Sequence, residues 1–100
     1  MAHEAGTLDA TLAAAAGDDA ALLAELRGAF LESLARQIDL LRRSRCDGNW
    51  HVTVLRIKGL AASFHAEPLL DLAEEAGAAA PGDPAVVRQL QAYLDHFSAM

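Results

Sequence analysis

The sequence feature that most restricts the fold is a long amphipathic stretch over positions 23–41. Its apolar residues recur every three or four positions, which places them on one face of an α-helix. Asp18 and Asp19 precede the stretch and can cap such a helix. The sequence therefore predicts a long helix that runs to about Arg45, with arginines in its last turn where cations favour the helix dipole. The apolar positions are Leu23, Leu26, Phe30, Leu34, Ile38 and Leu41.

Two further helices are predicted on either side of this stretch from glycine and capping residues. Thr7 or Asp9 is expected to cap a short first helix that ends before Gly17. After a turn at positions 46–49, Asp47 or Asn49 is expected to cap a third helix from about Trp50 to Phe64.

Proline marks two more helices in the second half of the chain. Pro68 suits the first turn of a fourth helix, which Gly77 and the turn at positions 81–84 end. Asp83 can cap a last helix that has Pro84 at its first position, a favoured site for proline. The apolar face of this helix comprises Val86, Leu90, Tyr93, Leu94 and Phe97.

The composition agrees with an all-helical chain. Ala and Leu make up 39 of the 100 residues, and only 5% are aromatic. Both residues lose little side-chain freedom in a helix. We therefore expect one all-α domain over residues 1–100, an antiparallel four-helix bundle with an additional short N-terminal helix.

The charge and the cysteine count argue against several functional classes. The net charge of −6 argues against a nucleic-acid partner. The single cysteine, Cys46, cannot form an internal disulfide, and no stretch of about 20 apolar residues predicts a membrane span. No signal peptide is predicted at the start. The expectation is a cytoplasmic monomer without a metal, because His51, His65 and Cys46 lack zinc-site spacing, and without a cofactor.

The third helix has a complete core face and an unusual back face. With about 100° per residue, Trp50, Val54, Ile57, Ala61 and Phe64 fall along one line. The opposite side carries an apolar strip flanked by polar residues, namely Val52, Leu55, Gly59 and Ala62 with His51, Arg56 and Lys58 beside them.

Gly59 makes this back face a candidate docking surface. Glycine in a helix interior costs about 1 kcal/mol relative to alanine, and beside Ala62 it leaves a depression with an apolar rim. Seven of the eight basic residues lie between positions 27 and 58, so the region can present positive charge to an acidic or phosphorylated partner. The alternative is that another element, such as the N-terminal helix, covers the face.

The segment from Val54 to Leu69 resembles the histidine-containing phosphotransfer (HPt) domain family. The family motif has the form Ala-His-x-Leu-Lys-Gly, followed by small residues, Gly-Ala and a Leu-rich helix. Here the lysine and glycine of that motif are Lys58 and Gly59. The resemblance covers nearly the whole chain, since the long second helix and its following turn also fit the family.

Two departures from the family pattern change the implied function. The phosphoacceptor histidine aligns with Leu55, which has no nucleophilic nitrogen, and the second family glycine aligns with His65. The resemblance thus implies a two-component signalling module that is not an enzyme. It would dock on a receiver domain or a histidine kinase without accepting phosphate. His51, Val52, Leu55, Arg56, Lys58, Gly59 and Ala62 would form the contact.

Two other functions stay open from the sequence. An active phosphorelay carrier would use His51, which lies one turn before Leu55 on the same side, or, with less support, His65 at the helix end. A scaffold that has lost signalling would instead pair the exposed apolar side of the third helix with itself, which predicts a dimer.

Overall fold

The protein is all-α. The computed structural model describes residues 2–98, apart from the side chains of residues 2–7 and Asp9, and this part of the chain forms five helices and no strand. The helices are α1 (Ala2–Ala16), α2 (Ala20–Arg42), α3 (Asp47–Ser63), α4 (Glu67–Ala78) and α5 (Pro84–Ser98).

Three helix boundaries confirm the sequence predictions. Gly17 follows α1 with a φ of 65°, a left-handed conformation that glycine adopts easily. Asp19 is the N-cap of α2, and its Oδ1 accepts a hydrogen bond of 3.0 Å from the N–H of Leu22. Before α5, Asp83 Oδ1 accepts a bond of 2.8 Å from the N–H of Ala85, and Pro84 is the first helical residue.

The predicted start of α1 is wrong. The helix begins at Ala2, so Thr7 and Asp9 lie inside it rather than at its N-cap. The physical reason is that the added residues Ala2, Glu4 and Ala5 have strong helix propensity, so the helix continues through two residues that also suit a cap.

The predicted turn between α2 and α3 is also displaced. Helix α2 ends at Arg42 rather than near Arg45, and the hydroxyl of Ser44 donates 2.9 Å to the carbonyl of Leu40 in its last turn. Helix α3 starts at Asp47, three residues before the predicted start. Its N-cap is Cys46, which has extended backbone and no side-chain cap bond. Neither Asp47 nor Asn49 is therefore the cap.

Each of the four helices α2 to α5 packs on two others of these four. Helix α3 packs on α2 and α4, and α5 completes the arrangement by packing on the same two helices. Helix α1 packs on α2 and buries Leu8 and Leu12 completely. Within residues 2–98, no helix combines the length and apolar character that a membrane span needs.

The predicted core faces of α2, α3 and α5 are largely confirmed. Phe30, Leu34, Ile38 and Leu41 of α2 are buried, whereas Leu23 and Leu26 are half-buried. Phe64, just after α3, is also half-buried and meets Phe30 edge-on at a centroid distance of 4.9 Å. The other predicted core residues of α3 and α5 are all buried, namely Trp50, Val54, Ile57, Ala61, Val86, Leu90, Tyr93, Leu94 and Phe97.

Trp50 joins α3 to the end of α4. Its side chain is completely buried, and the indole Nε1–H donates a bond of 2.9 Å to the carbonyl of Ala76. Ala76 lies in the last turn of α4, where the helix itself supplies no donor for the carbonyls. The indole therefore supplies a hydrogen-bond donor to a buried carbonyl. Without a donor, this carbonyl would lower stability by about 1–3 kcal/mol.

Helix α3 ends in a Schellman motif with His65 in the left-handed position. His65 has a φ of 53°, and its N–H donates 3.3 Å to the carbonyl of Ala62. The next residue, Ala66, donates 2.9 Å to the carbonyl of Ala61, and the side chains of Ala61 and Ala66 are buried. This is the hydrogen-bond pattern that glycine usually completes. His65 therefore holds a backbone conformation that is unfavourable for a residue with a Cβ.

We expect His65→Gly to raise the free energy of unfolding by about 0.5–1 kcal/mol, because glycine adopts the left-handed backbone without the cost that a Cβ imposes. The greater flexibility of glycine in the unfolded chain offsets only part of this gain. Urea denaturation measures the change. His51→Gly is the matched control, because His51 lies inside α3 and the same substitution there should lower stability by about 0.5 kcal/mol. Destabilisation by both substitutions would contradict the prediction.

Candidate functional site

The candidate site is the solvent-facing side of α3, which we call the α3 face. It comprises the seven residues that the sequence pattern selects, His51, Val52, Leu55, Arg56, Lys58, Gly59 and Ala62. All are exposed except Lys58, which is half-buried. The rotation of α3 produces this exposure, because the opposite side is held in the core by Trp50, Val54, Ile57 and Ala61.

Leu55 is the apolar centre of the α3 face. Its relative exposure is 64%, against 48% for Val52, and the other two exposed large hydrophobic side chains are below 40%. The alternative that the N-terminal helix covers this face is wrong, because α1 packs on α2 and leaves Val52 and Leu55 open. A leucine this exposed contributes little to the core.

Gly59 leaves open space in the middle of the α3 face. A Cβ built at Gly59 would meet no atom within 4 Å outside its own helix backbone, so no neighbouring helix requires a glycine there. The hydroxyl of Ser63 donates 2.9 Å to the carbonyl of Gly59, a bond to the preceding turn that any residue at position 59 would allow. Within the described fold, Gly59 therefore lowers the stability of the helix and has no packing role.

The positive charge of the region is less concentrated than the sequence suggests. Arg27 lies against α5, where it donates to the carbonyl of Phe97 and stands 6.0 Å from its ring centroid. Arg43 pairs with Asp39 at 2.8 Å, and Arg42 lies 3.9 Å from the same carboxylate. The seven cations do not form one patch.

Arg56 and Lys58 are the cations that the α3 face itself presents. Neither forms a hydrogen bond or an ion pair with another residue of the described range. Their charges are therefore available to a partner. Exposed cations beside an apolar strip favour contact with a surface that combines carboxylates and apolar side chains.

The structure also reveals a groove that the sequence pattern does not indicate. It lies between the end of α2 and α3 and has a volume of about 330 Å³. We call it the α2–α3 groove. Leu40 is the residue of the sequence that could have indicated the groove. It lies two positions after Ile38, so it points to a different side of α2 from Ile38 and Leu41, which are buried. The lining residues are Leu40, Arg43, Ser44, Asn49, Val52, Thr53 and Arg56.

The two candidate histidines lie in different settings. His51 is exposed on α3, four residues before Leu55, which separates the two positions by about 6 Å along the helix axis. His65 is exposed beyond the end of α3 in its left-handed turn. The structure thus places His51 on the α3 face and His65 outside it.

Comparisons with known proteins find no matching family model, curated protein or solved structure. Within residues 2–98, no group of three or more His, Cys, Asp or Glu side chains is arranged to hold a metal ion. Cys46 is exposed at the start of α3 and has no cysteine partner in the chain.

We expect Gly59→Ala to raise the free energy of unfolding by about 1 kcal/mol, because alanine favours the helix interior and its methyl group meets open space. Gly28→Ala in α2 is the matched control, since a Cβ there also meets nothing within 4 Å. Thermal and urea unfolding should show similar gains for both variants. A loss of stability for Gly59→Ala alone would reveal a packing role for this glycine.

Proposed function

We propose that this protein is an HPt-like adaptor in a two-component signalling pathway. It docks through the α3 face on the receiver domain of a response regulator or on a histidine kinase, as a cytoplasmic monomer. Its helices α2 to α5 form the antiparallel four-helix bundle of this family, and α1 is the additional helix. The packing of each of these four helices on two others supports the bundle.

The observation that carries the proposal is the exposure of Leu55 at the position of the family's phosphoacceptor. Complete burial of a fully exposed leucine is worth about 1.5–3 kcal/mol, so a partner that covers a leucine that is 64% exposed gains about 1–2 kcal/mol. Val52 and the open space at Gly59 extend the apolar contact and let a partner approach the helix backbone.

The chemistry of Leu55 favours a binding protein over a carrier that uses the family's acceptor position. A side chain that accepts a phosphoryl group needs a nucleophilic nitrogen or oxygen, and a leucine side chain supplies neither. Lys58 and Arg56 keep their charges free of internal partners, so they can interact with an acidic receiver pocket. The adaptor would therefore compete for or organise a partner surface without consuming phosphate.

We expect Leu55→Asp to weaken binding to the cognate receiver or kinase at least about tenfold, because the contact loses apolar burial and gains a charge to desolvate. Calorimetry against purified receiver and kinase domains from the same genome measures this affinity. Leu22→Asp is the control, since Leu22 is exposed on α2 and lies outside the α3 face. Unchanged binding of Leu55→Asp would contradict the proposed interface.

A second candidate function, a phosphorelay carrier that uses His51, is favoured by the exposure of that histidine on the same face. Phosphoryl transfer needs reacting atoms within about 3–3.5 Å. A partner docked for position 55 would have to shift by one helical turn to reach His51. This requirement makes the adaptor the better-supported function.

We expect Leu55→His to gain an acid-labile phosphoryl group from phosphorylated receiver domains, because the substitution places a nucleophile at the family's acceptor position. Intact-mass analysis measures the gain, with Leu22→His as the control that should remain unmodified. Wild-type protein should bind without a mass change. A phosphoryl group that appears on the wild type and is absent from His51→Ala would instead establish the carrier. If Leu55→His gains no phosphoryl group, the HPt-like docking position is contradicted.

A further inference from the structure

The α2–α3 groove shares Val52 and Arg56 with the α3 face and adds Leu40 and Arg43 of α2, which the proposed function does not use. Only four large hydrophobic side chains are exposed in the described chain, and two of them, Leu40 at 38% and Val52 at 48%, line this one groove. Single exposed hydrophobic residues are ordinary on a protein surface, whereas neighbouring ones in a concave site favour a binding function.

The charge of the groove is opposite to that of the chain. Its lining contains Arg43 and Arg56 and no carboxylate, whereas the whole protein has a net charge of −6. Asp39 pairs with Arg43 from beside the groove, and Arg56 has no ionic partner among the described residues. Arg36 lies one turn before Leu40 and adds further positive charge nearby.

Most neutral polar side chains of the groove already form hydrogen bonds within the protein. The hydroxyl of Ser44 donates to the carbonyl of Leu40, and that of Thr53 donates 2.9 Å to the carbonyl of Asn49. This leaves the Asn49 amide, the guanidinium of Arg56 and the N–H groups of Arg43 that do not face Asp39 as the donors available to a ligand. A ligand that fits these groups carries carboxylates and an apolar side chain.

We propose that the α2–α3 groove binds an acidic polypeptide segment that inserts an aliphatic or aromatic side chain between Leu40 and Val52 and places carboxylates on Arg56 and Arg43. The volume of about 330 Å³ is sufficient for one inserted side chain. This inference goes beyond the proposed function, because an isolated segment of such chemistry needs no receiver or kinase fold.

The test uses the full-length protein and a short fluorescent peptide in which Leu and Phe alternate with Glu. Fluorescence anisotropy should detect binding that weakens as salt rises, because surface charges are screened. A peptide with Gln in place of Glu and a second with Ser in place of Leu and Phe should each bind about tenfold more weakly. No binding of the acidic peptide to wild-type protein, or equal binding of all three peptides, would overturn the proposal.

Matched variants locate the site. Leu40→Gln and Arg56→Gln should each weaken peptide binding about tenfold, whereas Leu22→Gln and Arg88→Gln should leave it unchanged. Leu22 is as exposed as Leu40 on the same helix, and Arg88 lies on α5. Should Leu40→Gln fail to fold by circular dichroism, Arg43→Gln decides, because Arg43 lines the groove and lies outside the α3 face. Equal losses in the control variants would overturn the proposal.

Two further measurements distinguish peptide binding in the groove from docking on the α3 face and from self-association. Leu55→Asp should weaken binding to the receiver or kinase, and Leu40→Gln should weaken binding of the peptide, so each proposal can fail independently. Sedimentation should find a concentration-independent monomer. Self-association that Leu40→Gln abolishes would assign the groove to a second copy of this chain and overturn the acidic-segment proposal.

Discussion

The burial of one side of α3 is the constraint on which the rest of the structure depends. Trp50 is fully enclosed and its indole holds the end of α4, while Val54, Ile57 and Ala61 continue the same stripe into the core. With 3.6 residues per turn, this stripe fixes the rotation of the helix. The outward position of Leu55 and Gly59 is therefore a direct consequence of how the core packs.

This dependence explains why the α3 face could be predicted from the sequence while the α2–α3 groove could not. Angular positions within one helix depend only on the helical repeat, so the exposed side of α3 follows once its core residues are recognised. The groove depends on how α2 crosses α3 and on where α2 ends. Leu40 and Arg43 meet Val52 and Arg56 only through that tertiary arrangement.

The helix boundaries show the same division between local and tertiary control. Asp19 and Asp83 were recognisable because each side chain bonds the backbone two or three residues ahead, a local interaction. The start of α3 follows no such signal. Cys46 has no side-chain cap bond, yet its carbonyl accepts from the N–H of Trp50, and Trp50 is buried. The packing of Trp50 overrides the capping preference of Asp47 and Asn49.

The α3 face and the end of α3 contain features that folding alone does not favour. Gly59 weakens the helix without relieving any contact, His65 occupies a left-handed backbone, and Leu55 exposes most of its surface to water. A partner that buried Leu55 would gain about 1–2 kcal/mol, because the side chain is 64% exposed, and this corresponds to about a 5- to 30-fold change in affinity. Glycine at position 59 lets that partner approach the backbone at the next turn. Two of these three features therefore favour the same event, docking on the α3 face, whereas His65 reflects the geometry of the turn that ends the helix.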